Sequence, residues 1–334
     1  MPIMGTRRLP RRSVTLTRVG LGASQFGNLH REATDAELAG ALEAAWEGGI
    51  RYFDTAPHYG LGLSERRLGA LLTQLPRDQF VVSTKVGRRL VPSPDTAHLR
   101  DTAGGFDVPA DMRREWDFSA AGMRASVQES LERTGLDRFD IVYLHDPDNH
   151  RDQVLTEALP ELVRMRDEGI VSAIGAGMNQ SAFLAELAAT GDVDVVMVAG
   201  RYTLLEQGAL DDLMPAAVAH QVGVVVAGVY NSGLLARPRP DPGARYNYEP
   251  VPAAVLARVN QIADVCEAHG VTLPQAALAF AAAHPAVVAT VIGARTATQV
   301  AQGLARAAVR PPAALWPDLV AAHLLRPDVP VPAP

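Results

Sequence analysis

Phe80-Val81-Val82-Ser83-Thr84-Lys85 is the stretch on which the reading of the fold turns. A short apolar run with β-branched residues is the pattern of a strand buried on both faces. This one carries a charge at its C-terminal tip, and that charge is the chain's one lysine, beside thirty arginines. Lysine is a compact charge on a thin stem that can release its proton when desolvated, whereas arginine is a planar fork that stays charged. A codon bias against lysine accounts for the arginines. A lysine that persists under it marks a position arginine cannot fill, with chance survival on the surface as the alternative.

Seven further runs resemble this one, at residues 18–23, 52–54, 141–145, 173–177, 193–198, 223–229 and 287–292. Between them lie amphipathic stretches at 35–47, 64–74, 120–134, 154–167, 181–189, 209–220, 254–268 and 298–308, with an extra helix at 274–283 read as a continuation of the seventh. Thr34-Asp35 and Ser119 supply start signals, and Gly48-Gly49 and Gly169 follow helix ends. Strands alternating with helices pair in parallel through helical crossovers. Eight such units predict an α/β fold of the (β/α)8 TIM-barrel class. The competing open, doubly wound sheet calls for G-x-G-x-x-G after its first strand. Gly20-Leu21-Gly22-Ala23-Ser24-Gln25 has the first two glycines and then enters a polar loop.

The expected organisation is one barrel domain over residues 1–334, with a Pro-rich, frayed tail at 327–334. Two long stretches, 87–118 with Phe106 and Trp116, and 231–252 with Tyr246 and Tyr248, leave the face where barrel active sites sit. Loops of that length are lids or binding loops, or else disordered excursions.

A net charge of −6 gives no basic field for nucleic acid and no polybasic membrane anchor. No window reaches the ~18 continuous apolar residues of a membrane helix, and residues 1–18 lack the apolar core of a secretory signal. A cytoplasmic protein, monomeric or a small homo-oligomer, is expected. Cys266 stands alone in a helical stretch, which excludes an internal disulfide and reads as inert core. No His-x-His occurs, and no metal is expected.

Asp54, Lys85 and His145 end the second, third and fourth strand candidates, and Tyr59 follows Asp54 by five positions. In a barrel these ends converge on one mouth, and Pro57 and Gly60 shape a turn that brings the Tyr59 phenol back over it. A free phenol, with a pKa of about 10, is a poor base at neutral pH. An ammonium beside it stabilises phenolate, Asp54 keeps Lys85 charged and aimed, and His145 can hydrogen-bond the same substrate oxygen. The set moves a proton but offers no electron acceptor, which suits hydride exchange with a nicotinamide cofactor. Taken singly, the same residues read as a structural ion pair, a lid anchor and a core histidine.

With these residues in view, the chain resembles the aldo-keto reductase superfamily over nearly its whole length. The likeness rests on residues 52–60, Gly62-Leu63-Ser64-Glu65-Arg66-Arg67-Leu68-Gly69, Ser83-Thr84-Lys85-Val86-Gly87 and residues 126–140. The family's Asp–Tyr–Lys–His tetrad falls on Asp54, Tyr59, Lys85 and His145. His145-Asp146-Pro147-Asp148, Gly177-Met178-Asn179-Gln180, residues 199–205 and Tyr230-Asn231-Ser232-Gly233 look most like the branch of aldose, L-galactose and pyridoxal dehydrogenases. The resemblance implies oxidation of an aldose at C1, with pyridoxal or a general carbonyl compound as alternatives. A non-catalytic nicotinamide-binding regulatory barrel is the reading from another class.

Departures from the family bear on the cofactor. Gly293 and Gln299 stand where many NADPH-using relatives have a lysine and an arginine, leaving Arg295 as the nearby cation, so NAD is preferred over NADP. Ala227 and Ala199 replace the expected tyrosine and glutamine at the nicotinamide, and Asn179 and Tyr230 are candidates to compensate. The resemblance adds Gly22, Ser232 and Thr296, at the start of the last barrel helix, to the cofactor candidates. Phe26, His58, Phe106, Trp116, Tyr246 and Tyr248 are the substrate-wall candidates.

Overall fold

A computed structural model describes residues 5–241, 243–247 and 249–332. Eight parallel strands close into a barrel in chain order: β1 (Val19–Gly22), β2 (Tyr52–Asp54), β3 (Val81–Val86), β4 (Phe139–His145), β5 (Val171–Met178), β6 (Val195–Ala199), β7 (Gly223–Ala227) and β8 (Val287–Gly293), with β8 pairing back onto β1. Closure rules out the open doubly wound sheet. The crossovers are α1 (Asp35–Glu47), α2 (Leu63–Leu72), α3 (Ala120–Thr134), α4 (Leu159–Asp167), α5 (Ser181–Ala189), α6 (Leu213–Ala219), α7 (Ala253–Ala268) with α8 (Leu273–Ala281), and α9 (Ala297–Ala307), followed by α10 (Leu315–Ala321). The expected caps form: Thr34 and Glu37 make a capping box on α1, and the Ser119 hydroxyl accepts from the Gly122 amide at α3.

Strand periodicity sets the site. Side chains alternate across a strand, so the residues two apart from each strand-end polar group share its face. Tyr52, Tyr143, Ile141, Ala173, Val195, Met197, Val225, Ala289 and Val291 fill the barrel interior. Asp54, Lys85 and His145 continue the same inward rows at the C-terminal rim. The other faces pack under the helices in the main core, where Cys266 is fully buried.

One element was not anticipated and four expectations are corrected. Near the basic N-terminus, Thr6–Arg8 pairs antiparallel with Thr15–Thr17. This hairpin plugs the barrel floor with Leu9, Val14 and Leu16, all buried against the interior residues. Its arginines engage Asp194, a fully buried carboxylate that Arg12 meets at 2.8 Å and Arg166 at 3.0 Å. Residues 87–118 are not irregular. They form a flap hairpin, Arg88–Pro92 with Met112–Trp116. Its tip docks on the loop after β1 through the Leu29–Phe106 bridge and the Arg100 contact to Glu32. Within 231–252, Arg245–Tyr246 pairs with Glu249–Pro250, while Tyr248 lies outside the described residues. The helix at 274–283 is separate from its predecessor, because Gly270 turns through a positive φ and Thr272 with Gln275 caps a new start. The tail is anchored as far as Val329, which is buried in the main core.

Leu16→Ala should therefore lower unfolding free energy by about 2–5 kcal/mol, the cost of an unfilled core cavity. The exposed Thr15→Ala should stay within about 0.5 kcal/mol. Urea melts of the two variants check this, and equal midpoints would mean that the hairpin does not seal the floor.

Candidate active site

The Lys85 ammonium is buried at the barrel rim and donates to Asp54 Oδ2 at 2.7 Å and to the Thr55 carbonyl at 2.9 Å. An ammonium has three donors; the third side faces Tyr59, whose ring centroid is 4.7 Å from Nζ. Burial works to discharge Lys85, but the Asp54 carboxylate and Tyr59 outweigh it, and the net shift is upward. Lys85 is therefore charged throughout the working pH range.

Asp54 is seated from below by a chain of hydroxyls. Ser83 Oγ donates to Asp54 Oδ1 at 2.7 Å. Because that consumes its proton, Tyr52 must donate to Ser83 across 3.1 Å, and Tyr143 to Tyr52 across 3.2 Å. Three neutral donors thus point in sequence at one carboxylate. Burial raises both phenols' pKa values. Gly20 leaves room for Tyr52: a Cβ there would stand 2.6 Å from the Tyr52 ring.

Tyr59 is fixed by its backbone. A short 3-10 turn, Ala23–Gly27, crosses the chain at Tyr59-Gly60 so closely that a Cβ on Gly27 would sit 2.5 Å from the Tyr59 carbonyl carbon. Its ring packs against Phe106 and His145, both with centroids 6.0 Å away. Lys85 pulls the phenol's pKa down, as its sequence position suggests, but burial exceeds that pull and Asp54 opposes it, so the net shift in the ligand-free barrel is upward. This corrects the expectation of a phenol already acidified: Tyr59 is protonated at neutral pH. His145 is buried, and burial with Arg88, Lys85, His58 and Arg114 drives its pKa well down. It is a neutral imidazole with one donor and one acceptor nitrogen, and Nδ1 has no protein partner.

The cofactor candidates gather at the same face. At the end of β8, Thr296 caps α9 by accepting from the Gln299 amide, and the Gln299 side chain accepts from the Arg295 amide at 2.9 Å. The first amides of an eleven-residue helix beside an arginine suit an anionic phosphate. Asn179, after β5, donates to the Ala199 carbonyl at 2.9 Å. Ser232 follows β7 on an exposed positive-φ turn. Tyr230, in the same loop, has its buried hydroxyl beside the Arg306 guanidinium of α9 and is not a free donor. The other donors fit a dinucleotide. Gly22 is small for packing reasons as well, since a Cβ would meet Val291 at 2.8 Å.

The substrate-wall candidates divide. His58 packs edge-on against His145 at 5.5 Å and Phe106 at 5.3 Å; burial, with Arg114 and Arg88, holds its pKa down at about 2. Phe106 is buried behind Tyr59 and backs the site without facing it. Trp116 is 47% exposed, with the Arg88 guanidinium over its ring and Phe118 and His150 packed against it. Tyr246 donates to Glu206, and its neighbour Asn247 accepts from Arg201, which ties this hairpin to the loop after β6. Phe26 is corrected: it is fully buried in the main core and lines nothing.

Sequence reasoning passed over Gln25, Arg88, Arg114 and Asp146. Gln25 accepts from the Arg295 guanidinium. Arg88 pairs with Asp146. Arg114 grips Asp101 at 2.8 Å and the His58 carbonyl at 2.9 Å. Only Asp146, adjacent to His145, carried a positional signal. Among the described residues, no cluster of three or more His, Cys, Asp or Glu side chains could hold a metal ion, and no helix is long and apolar enough to cross a membrane.

A model of the Aldo/keto reductase family matches residues 18–314. The chain is 49% identical to a D-threo-aldose 1-dehydrogenase of a Pseudomonas species, over 92% of this chain and 94% of that one. It is 34% identical to the pyridoxal 4-dehydrogenase of Microbacterium luteolum, over 89% and 91%. Among solved structures, an aldo-keto reductase from Bacillus halodurans in its holo form shares the fold, with a TM-score of 0.74, 23% identity and 98% coverage of both chains.

If the hydroxyl chain is directed as derived, Ser83→Ala strips a charge-assisted bond and should cost about 1.5–3 kcal/mol. Tyr143→Phe removes only the outermost donor and should cost the least of the series Ser83→Ala, Tyr52→Phe, Tyr143→Phe. Chemical denaturation of the three variants gives the order, and Tyr143→Phe as the most damaging would reverse the chain.

Proposed function

The chain belongs to the aldo/keto reductase family and is an oxidoreductase that uses a nicotinamide cofactor; we propose that it oxidises aldoses at C1, using NAD in preference to NADP, with Tyr59, Lys85, Asp54 and His145 as its catalytic set. One observation carries this reading: Lys85, neutralised by Asp54, turns its remaining donor side to the Tyr59 phenol beside a neutral His145. The likeness to an aldose dehydrogenase supports the substrate class.

A bound nicotinamide supplies the hydride acceptor. Tyr59 takes the proton of the anomeric hydroxyl as the C1 hydrogen departs with its electron pair, and the product is a lactone. Lys85 stabilises the phenolate form of Tyr59 from which that transfer starts. Asp54 prevents Lys85 from moving. Neutral His145 donates to the same oxygen from Nε2 and fixes its position. In the reverse direction Tyr59 returns its proton to an aldehyde oxygen.

The preference for NAD rests on the end of β8. Gly293 and Gln299 offer no cation, and the Arg295 guanidinium already donates to Gln25 and, at 2.8 Å, to the Leu29 carbonyl. Arg31 and Glu37 lie near Arg295 with opposite charges. A missing charge-assisted hydrogen bond is worth about 1.5–3 kcal/mol, so kcat/KM with NAD should exceed that with NADP by about tenfold or more. Equal constants would remove the preference.

Lys85→Arg keeps the charge but cannot reproduce three short, compactly directed donors, and kcat should fall by over about 10²-fold. Because Tyr59 begins protonated, the rate of aldose oxidation should climb as pH rises above neutrality, while aldehyde reduction should hold until the pH has passed the ordinary phenol value of about 10. Initial rates followed by the absorbance of reduced cofactor report both, and a fall in oxidation over that range would move the base elsewhere.

A further inference from the structure

Asp146 adopts a left-handed backbone, φ 42, which is uncommon for a residue with a side chain and marks a position worth explaining. Its amide donates to the Gly177 carbonyl at 3.0 Å, and its carboxylate lies between Arg88 and His145. Asp146 Oδ2 then lies 3.8 Å from His145 Nε2, too far for a hydrogen bond between them, so the contact does not serve to hold the imidazole. The separation does let both groups reach neighbouring oxygens of one ligand.

Arg88 meets Asp146 from the first strand of the flap. Its guanidinium pairs with the carboxylate, approaches His58 Nδ1 at 3.5 Å and lies 4.4 Å from the centroid of the Trp116 ring. Arg88 Nε is buried without a protein acceptor. A carboxylate acceptor held by a guanidinium thus lies beside His145, with the Trp116 ring on the far side of that guanidinium. Hydroxyl groups both donate and accept, and the C–H face of a sugar packs on an aromatic ring.

Charge also selects. Lys85 is balanced by Asp54, Arg88 by Asp146 and Arg114 by Asp101. No net attraction for an acid group is left by these pairs, and a carboxylate-bearing substrate would meet Asp146. The arrangement favours a neutral polyol.

We propose that Asp146, braced by Arg88, is the specificity-determining contact for the hydroxyl on the carbon next to the reacting one, so that the enzyme takes 2-hydroxyaldehydes and their cyclic hemiacetals over simple aldehydes. The proposal rests on the reading above that His145 faces the reacting oxygen. It deepens that reading by assigning which part of the aldose is recognised.

The test compares reduction of glyceraldehyde with that of 3-hydroxypropanal, which lacks the 2-hydroxyl, by wild type, Asp146→Asn and Asp146→Ala, with reduced cofactor. A hydrogen bond to a charged partner predicts a wild-type preference in kcat/KM of about tenfold or more for glyceraldehyde. The preference should shrink in Asp146→Asn and vanish in Asp146→Ala, while kcat/KM for 3-hydroxypropanal stays near the wild-type value. An unchanged preference in Asp146→Ala overturns the proposal. So does an equal loss on both substrates, which assigns Asp146 to the framework. Wild-type turnover of both aldehydes without preference overturns it while leaving the oxidoreductase reading intact, and turnover of neither overturns both.

Discussion

The buried ion pair of Lys85 and Asp54 is the constraint around which the rest is arranged. Taking two charges out of water costs several kcal/mol each after relaxation, and attraction between them compensates only when geometry is good and remaining hydrogen-bonding capacity is satisfied. Here the remainder is satisfied: Thr55 accepts from the ammonium, and Ser83, backed by Tyr52 and Tyr143, donates to the free carboxylate oxygen. The aromatic floor of the barrel is thereby coupled to its reactive rim. The N-terminal hairpin closes the opposite end, so the polar chain is enclosed between a sealed base and the mouth.

Barrel closure turns four distant sequence positions into neighbours. Asp54, Lys85 and His145 come from consecutive strands, each two residues beyond an inward-facing side chain, and Tyr59 is delivered by a turn locked against Gly27. The charges around this mouth are balanced in pairs. A neutral His145 and a protonated Tyr59 are the expected state of a site with that much burial, and the direction of proton movement then depends on pH and substrate.

Much of this was legible in the sequence, for identifiable reasons. The strands were visible because burial on both faces leaves continuous apolar runs, and the polar tips stood out against them. The convergence of Asp54, Tyr59, Lys85 and His145 was legible because strand ends in a barrel share a face. The N-terminal hairpin was hidden because Arg7, Arg8, Arg11 and Arg12 dilute the three residues, Leu9, Val14 and Leu16, that plug the floor. The flap was hidden because Arg88, Arg89, Arg113, Arg114 and Glu115 give its strands no apolar pattern; its order comes from pairing and from docking on the loop after β1. Phe26 looked available because it follows a strand tip, but the 3-10 turn folds it inward. The pKa direction of Tyr59 was misjudged because sequence shows the neighbouring charge but not the depth of burial, which is the larger effect. Asp146 and Arg88 are far apart in the chain, and only the folded flap pairs them.

A single lysine makes the central claim directly observable. Protein labelled with ¹³C at lysine Cε gives one lysine side-chain resonance, from Lys85. With its ammonium held by Asp54 and Tyr59, that resonance should stay at the charged-form shift until the pH has passed the ordinary lysine value of about 10.4, and its transition should move lower in Tyr59→Phe. A resonance that titrates below the ordinary value in the wild type would show that burial, not the ion pair, governs Lys85, and would contradict the account.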